Sequence, residues 1–212
     1  MLITIEGGEG SGKSTLIEEL GQALVQEGRR VLETREPGGC KLSEQIRDQL
    51  LKTPSNTPIG TLAETLLFLA ARAQHVEEVI QPALHKGLIV LCDRFNDSTI
   101  AYQGYGRGLG GEHVRNLCHA ACHLQPDLTL LLEISPEEGL TRASKQKHTP
   151  DRIEAEELAF HQRVHAGYLR IAADEPARVK VIDARLSKEE VFDAAYQEIS
   201  SLLSRTAEAH RH

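Results

Sequence analysis

Leu2-Ile3-Thr4-Ile5-Glu6-Gly7-Gly8-Glu9-Gly10-Ser11-Gly12-Lys13-Ser14-Thr15 is the stretch that decides the fold. Its opening residues are aliphatic or β-branched, as in a strand buried on both faces. Gly7 to Ser14 then fits G-x-x-x-x-G-K-[ST], and an amphipathic run, Lys13–Glu27, follows directly. Strand, glycine loop and helix in immediate succession predict a phosphate-binding loop. Its glycines let successive backbone N–H groups turn inward around phosphate oxygens, and the helix that follows adds the positive end of its dipole. Lys13 is expected to reach the β- and γ-phosphates of ATP and the Ser14 hydroxyl to ligate Mg²⁺, with Gly7, Gly8, Glu9, Gly10, Ser11, Gly12 and Thr15 completing the contacts.

Outward from this loop, short apolar runs alternate with long amphipathic ones. Strands are predicted at Leu2–Glu6, Arg30–Thr34, Leu88–Cys92, Leu128–Glu133 and Val179–Ile182. Helices are predicted at Lys13–Glu27, Lys41–Lys52, Thr61–His85, Gly111–His123, Pro136–Lys147, Glu154–Ala173 and Ser187–Ser204. In the third helix Leu62, Leu66, Leu69 and Ala73 share one side. The alternation predicts an α/β fold of the P-loop NTPase type, three layers with a five-stranded parallel sheet and helices on both faces. Gly104–Gly111, with five glycines in eight residues, and Lys145–Asp151 read as mobile segments. Residues 205–212 read as a frayed tail, which leaves one domain over residues 1–204.

A net charge of −7 predicts a surface that repels nucleic acid and anionic membranes, so polyanions must meet local basic clusters. Aromatic residues are only 4% with no Trp, which argues against an aromatic-lined binding module. Cys40, Cys92, Cys118 and Cys122 form no disulfide framework, and Cys118-His119 with Cys122-His123 lack a second ligand pair at zinc-like spacing. No leader or membrane-length apolar run is present, so a soluble cytoplasmic protein is expected. An Asn-Lys-x-Asp guanine reader is also absent, and a small-molecule kinase fits the length better than a GTPase or a motor.

Five further blocks follow: Thr34-Arg35-Glu36-Pro37-Gly38-Gly39, Leu69-Ala70-Ala71-Arg72, Asp93-Arg94-Phe95, Ser98-Thr99-Ile100-Ala101-Tyr102-Gln103-Gly104 and Asp151-Arg152-Ile153-Glu154. Asp93 and Arg94 emerge at the carboxyl end of a buried strand, where ligands bind in open α/β sheets and where a guanidinium fork can grip phosphate. Phe68 and Arg72 are spaced i, i+4 and project from one helix face. In order and approximate spacing these blocks resemble the signatures of bacterial thymidylate kinases, from the first strand to at least Tyr168.

The resemblance implies transfer of the γ-phosphate of MgATP to dTMP, giving dTDP and ADP. It assigns Arg94, with Arg47 and Arg35 nearby, to the acceptor phosphate, Phe68 to stacking on thymine and Arg72 to its exocyclic oxygen. Ser98, Thr99 and Gln103 fall on the acceptor side, Tyr102 lies beneath the deoxyribose, and Glu9 approaches the 3′-hydroxyl. Asp93 joins Ser14 near Mg²⁺, directly or through water. The phosphate loop carries no basic side chain at its variable positions, whereas Arg142, Lys145, Lys147 and Arg152 cluster in a lid at about 142–153. Arg152 is the expected catalytic cation, because lysine cannot clamp two phosphate oxygens, and Arg142 is expected near adenine. A homodimer is implied by the resemblance alone. A kinase for another acceptor and a nucleotide-dependent switch are the competing readings.

Overall fold

The computed structural model describes residues 1–53, 58–145 and 150–209. Five parallel strands form one sheet in the order β2-β3-β1-β4-β5: β1 (Leu2–Gly7), β2 (Val31–Arg35), β3 (Ile89–Asp93), β4 (Leu128–Glu133) and β5 (Val179–Asp183). Each lies within one residue of its predicted limits. The central strand β1 pairs with β3 in the register Leu2↔Val90 to Ile5↔Asp93. β1 meets β4 on its other side, and the carboxyl ends of β1 and β3 carry the loop at residues 7–14 and Asp93-Arg94 side by side, at the end of the sheet where ligands bind in open α/β folds.

The two-residue period of β1 sends Ile3 and Ile5 to one face of the sheet. There they pack with Leu16, Ile17, Leu20 and Leu24 of α1 (Lys13–Gln26) and with Val191, Ala195 and Ile199 of α9 (Lys188–Ala209). Leu2, on the other face, packs with Val76, Ile80 and Ala83. Thr4 on that face is fully buried and shares a hydrogen bond of 2.8 Å with Thr129. Thr129 in turn donates to Asp97 at 3.1 Å, and Arg178 grips both oxygens of Asp97 at 2.7 and 3.0 Å.

The remaining helices are α2 (Lys41–Leu51), α3 (Thr61–His75), α4 (Gln81–His85), α5 (Asn96–Thr99), α6 (Gly111–Ala121), α7 (Pro136–Ser144) and α8 (Leu158–Asp174). The helix predicted at Thr61–His85 is interrupted by a π-helical turn at Val76–Ile80, where the Gln81 N–H reaches back to Val76 O. Pro82, which has no N–H to continue an α-helical ladder, follows at once. α3 also turns a largely polar face inward, with Leu69 the one buried member of its apolar series. Leu62 and Leu66 are exposed, while Glu64, Thr65, Arg72 and His75 are buried with Leu69.

Gly104–Gly111 is a correction. Ile100–Gly106 is π-helical and largely buried, and a Cβ on Gly106 would meet Phe160 and Val164 of α8 at under 3 Å. Gly104, Gly106 and Gly111 serve close packing, whereas a Cβ on Gly108 would meet nothing within 4 Å. Residues 151–156 form a turn tied by Asp151 Oδ1, which accepts from the N–H groups of Ile153 and Glu154, so α8 begins at Leu158 rather than Glu154. α9 continues to Ala209 and takes in the first five residues of the expected tail, because Leu202 and Leu203 still pack against the core. His210–His212 lie outside the described residues, as do Lys147, His148 and Thr149 of the predicted lid. No helix among the described residues is long and apolar enough to cross a membrane.

The Arg178–Asp97 pair fastens the start of β5 to α5, and Arg178 is only 13% exposed. Asp97→Ala leaves that guanidinium without its main partner and is expected to destabilise the fold by about 3 kcal/mol. Urea denaturation reads the loss; a change below about 0.5 kcal/mol contradicts it.

Candidate active site

The phosphate loop is held open by backbone geometry that favours glycine. Gly10 (φ 68°) and Gly12 (φ 94°) lie in the left-handed region, and Gly12 caps α1. A Cβ on Gly10 would strike Gly139 O at 2.1 Å, so α7 lies directly against the loop. Lys13 folds back over it and donates to Gly8 O at 2.8 Å and Gly7 O at 3.1 Å. Burial, reinforced by the nearby Arg94, lowers the Lys13 ammonium from its ordinary value even though Glu9 and Asp93 lie close by.

Among the described residues Arg94 is the only non-glycine with positive φ, at 68°. Such a backbone persists only where its surroundings enforce it. Here the agent is Glu6, a fully buried carboxylate at the end of β1. It accepts from the Phe95 N–H at 2.7 Å, the Ser98 N–H at 3.3 Å, the Ser98 hydroxyl at 2.5 Å and the Tyr168 hydroxyl at 2.9 Å. Burial, together with the charge of Asp97, pushes Glu6 up to about 7 against these bonds.

With its backbone turned, Arg94 directs its guanidinium at the loop. It donates to Gly7 O at 3.1 Å and to Glu9 at 2.9 Å, and lies 5.1 Å over the Tyr102 ring. The Tyr102 hydroxyl donates to the same Glu9 oxygen at 2.8 Å. Burial opposes charge on Glu9, but Arg94, Lys13 and the Tyr102 hydroxyl outweigh it, and the carboxyl is held below its usual range.

One cleft of ≈ 430 Å³ collects most of the predicted residues. Glu9, Gly10, Ser11, Gly12, Lys13, Ser14 and Thr15 line its loop end, while Arg47, Phe68, Arg72, Asp93, Arg94, Ser98, Thr99, Tyr102 and Gln103 line the rest. Gly7 and Gly8 form the loop's floor, on a smaller cavity behind it. Ser14 donates to Asp93 Oδ2 at 3.4 Å, and Asp93 Oδ1 is buried with no partner among the described residues. An oxygen-only pair with a spare acceptor fits a hard divalent cation whose remaining ligands are phosphate oxygens and water.

Three predicted residues are not brought into this cleft. Arg35 lies at its rim, 53% exposed and paired with Glu44 at 3.0 Å. Arg142 packs on the turn between β5 and α9, donating to Ala184 O at 2.7 Å. Arg152, the expected catalytic cation, instead donates to the buried Glu64 at 2.6 Å and to Leu50 O at 2.9 Å.

Sequence reasoning missed four residues that shape the site. Glu36, 4% exposed, accepts from Arg72 at 2.5 Å and pairs with the ring of His75 at 3.0 Å, which fixes the arginine in the wall of the cleft. Glu6, Glu64 and Tyr168 are the others. For Glu6 the readable signal was an acidic residue inside a strand predicted to be buried, since such a carboxylate must have a partner.

The geometry can be set beside known proteins. The profile of the thymidylate kinase family matches residues 5–195. A thymidylate kinase of Protochlamydia amoebophila is 52% identical over 202 residues, covering 92% of this chain and 90% of its own length. One from Trichlorobacter lovleyi is 48% identical and covers 96% and 99%. The crystal structure of the Ehrlichia chaffeensis thymidylate kinase superposes with a TM-score of 0.76 at 33% identity, over 94% of this chain and 98% of that one. With a G-x-x-x-x-G-K-[ST] loop and three arginines lining one cleft, and with relatives at this identity over nearly its whole length, the chain belongs to the thymidylate kinase family.

Proposed function

We propose that the chain transfers the γ-phosphate of ATP to the 5′-phosphate of dTMP, giving dTDP and ADP, and so supplies dTTP synthesis for DNA replication. The observation that carries this reading is the single cleft lined at one end by Lys13 and Ser14 and at the other by Arg47, Arg72 and Arg94. A nucleotide switch has no second anion to hold.

The acceptor phosphate is a competent nucleophile at neutral pH, so no general base is required and the work is positioning and charge neutralisation. Arg94, already aimed at the loop, bridges the two phosphate sites and grips the acceptor, with Arg47 beside it. Phe68 stacks on the base, and Arg72, held by Glu36, presents its remaining N–H groups to a base carbonyl. Glu9 meets the 3′-hydroxyl, and Tyr102, fixed by its bond to Glu9, lies under the sugar. Arg142 supports adenine against the turn before α9. Mg²⁺ held by Ser14 and Asp93 would offset charge on the β- and γ-phosphates.

The unit proposed is one domain over residues 1–204, with the lid at about 142–153 closing over the donor. It acts in the cytoplasm as a homodimer, to which the exposed Leu62 and Leu66 on α3 lend support.

In an ADP-release assay across nucleoside monophosphates, turnover is expected with dTMP and is abolished by excess EDTA. Hydrolysis of ATP with no response to dTMP contradicts the acceptor, and turnover that survives EDTA contradicts the metal. Lys13→Ala is expected to lower kcat by ~10³, the loss of a cation that stabilises the transferring phosphoryl group. Arg94→Ala should raise KM for dTMP by ~10–100-fold, the equivalent of one or two charge-assisted hydrogen bonds. Steady-state kinetics with unchanged constants in either variant would remove that residue from its role.

A further inference from the structure

Glu64 lies on α3 one turn before Phe68 and two turns before Arg72, and is 1% exposed. It accepts from Gln103 Nε2 at 2.9 Å, from two nitrogens of Arg107 at 3.1 and 3.2 Å, and from Arg152 at 2.6 Å. Burial opposes its charge, but the bonds from Arg107, Gln103 and Arg152 prevail, and the carboxyl is held below its usual range. An ionised carboxylate can only accept. Gln103 is therefore obliged to turn its NH₂ toward Glu64, which leaves its carbonyl oxygen for the cleft it lines. Ordinarily an amide's orientation is ambiguous; here the neighbour's chemistry decides it.

An acceptor at that point is complementary to a ring N–H and repels a ring nitrogen carrying a lone pair. The 3-position of thymine offers the first and that of cytosine the second. We propose that Glu64 is a positioning residue for base specificity: it locks the Gln103 amide with its oxygen toward the acceptor base, selecting pyrimidines that carry a ring N–H. The same carboxylate fastens the turn at residues 151–156 through Arg152, so base reading and that turn share one buried charge. The inference rests on the dTMP kinase reading above.

The test compares kcat/KM for dTMP and dCMP in the wild type, Glu64→Gln, Gln103→Ala and the double variant, with thermal unfolding measured in parallel. Glu64→Gln can donate as well as accept and frees the Gln103 amide to rotate. The dTMP:dCMP ratio is expected to fall by about tenfold or more, because a site with fixed polarity rejects the mismatched edge strongly. In the Gln103→Ala background the same substitution should change the ratio by less than about twofold. A ratio that stays at the wild-type value in Glu64→Gln, with or without a fall in Tm, overturns the proposal, as does a full loss that persists without Gln103. If Glu64→Gln does not fold, Glu64→Asp keeps the charge for both arginines and withdraws the acceptor from Gln103 by one methylene; the same ratio decides. A wild type that fails on dTMP overturns the functional reading and this inference with it, whereas wild-type turnover with an unmoved ratio overturns the inference alone.

Discussion

The buried carboxylate of Glu6 is the constraint on which the site is built. Its four hydrogen bonds gather the Phe95 and Ser98 backbone and the Ser98 and Tyr168 hydroxyls onto the end of β1. That grip holds the chain after β3 in a turn that puts Arg94 at φ 68°. A non-glycine residue in that region costs about 1–3 kcal/mol, and the bonds to Glu6 offset it. In return the guanidinium crosses from the acceptor side to Gly7 O of the phosphate loop. Strand end, α5, α8 and loop are thereby fixed relative to one another by a single side chain.

The same device recurs around the cleft. The chain carries a net charge of −7, yet its expected ligands are polyanions. Two of the cations lining the cleft are held by buried or half-buried carboxylates, Arg94 by Glu9 and Arg72 by Glu36. An unpartnered buried charge costs several kcal/mol, so these carboxylates keep the arginines ordered before any phosphate arrives. Their presence also fixes donor directions, which a lone lysine on a flexible stem would not do.

The local parts of this design were legible in the sequence. The strand, phosphate loop and first helix lie within 26 residues of the start, and their order alone specifies their geometry. Strand limits followed from apolar runs because a sheet buried on both faces demands them. What the sequence could not disclose was the choice among ionic partners. Arg152 is 88 residues from Glu64, and nothing local says that it pairs there rather than facing the phosphates. α3 misled for a related reason. Its Leu62 and Leu66 mark an apolar stripe, but the inward face is the polar one that holds Glu64, Arg72 and His75, since that face builds the cleft. The glycines after Gln103 read as loop because glycine signals both mobility and close packing, and only the position of α8 against Gly106 distinguishes them.

The most direct measurement is the affinity of Glu6→Gln for each substrate separately, by isothermal titration with dTMP and with a non-hydrolysable ATP analogue. Glutamine keeps the volume of Glu6 but cannot accept all four of its hydrogen bonds, so Arg94 loses its enforced turn while the phosphate loop keeps its own geometry. If Glu6 organises the acceptor side, dTMP binding weakens by about tenfold or more, equivalent to the loss of one or two buried hydrogen bonds, while the affinity for the ATP analogue stays within about twofold. Equal weakening toward both ligands, or no change in dTMP affinity in a folded variant, would contradict it.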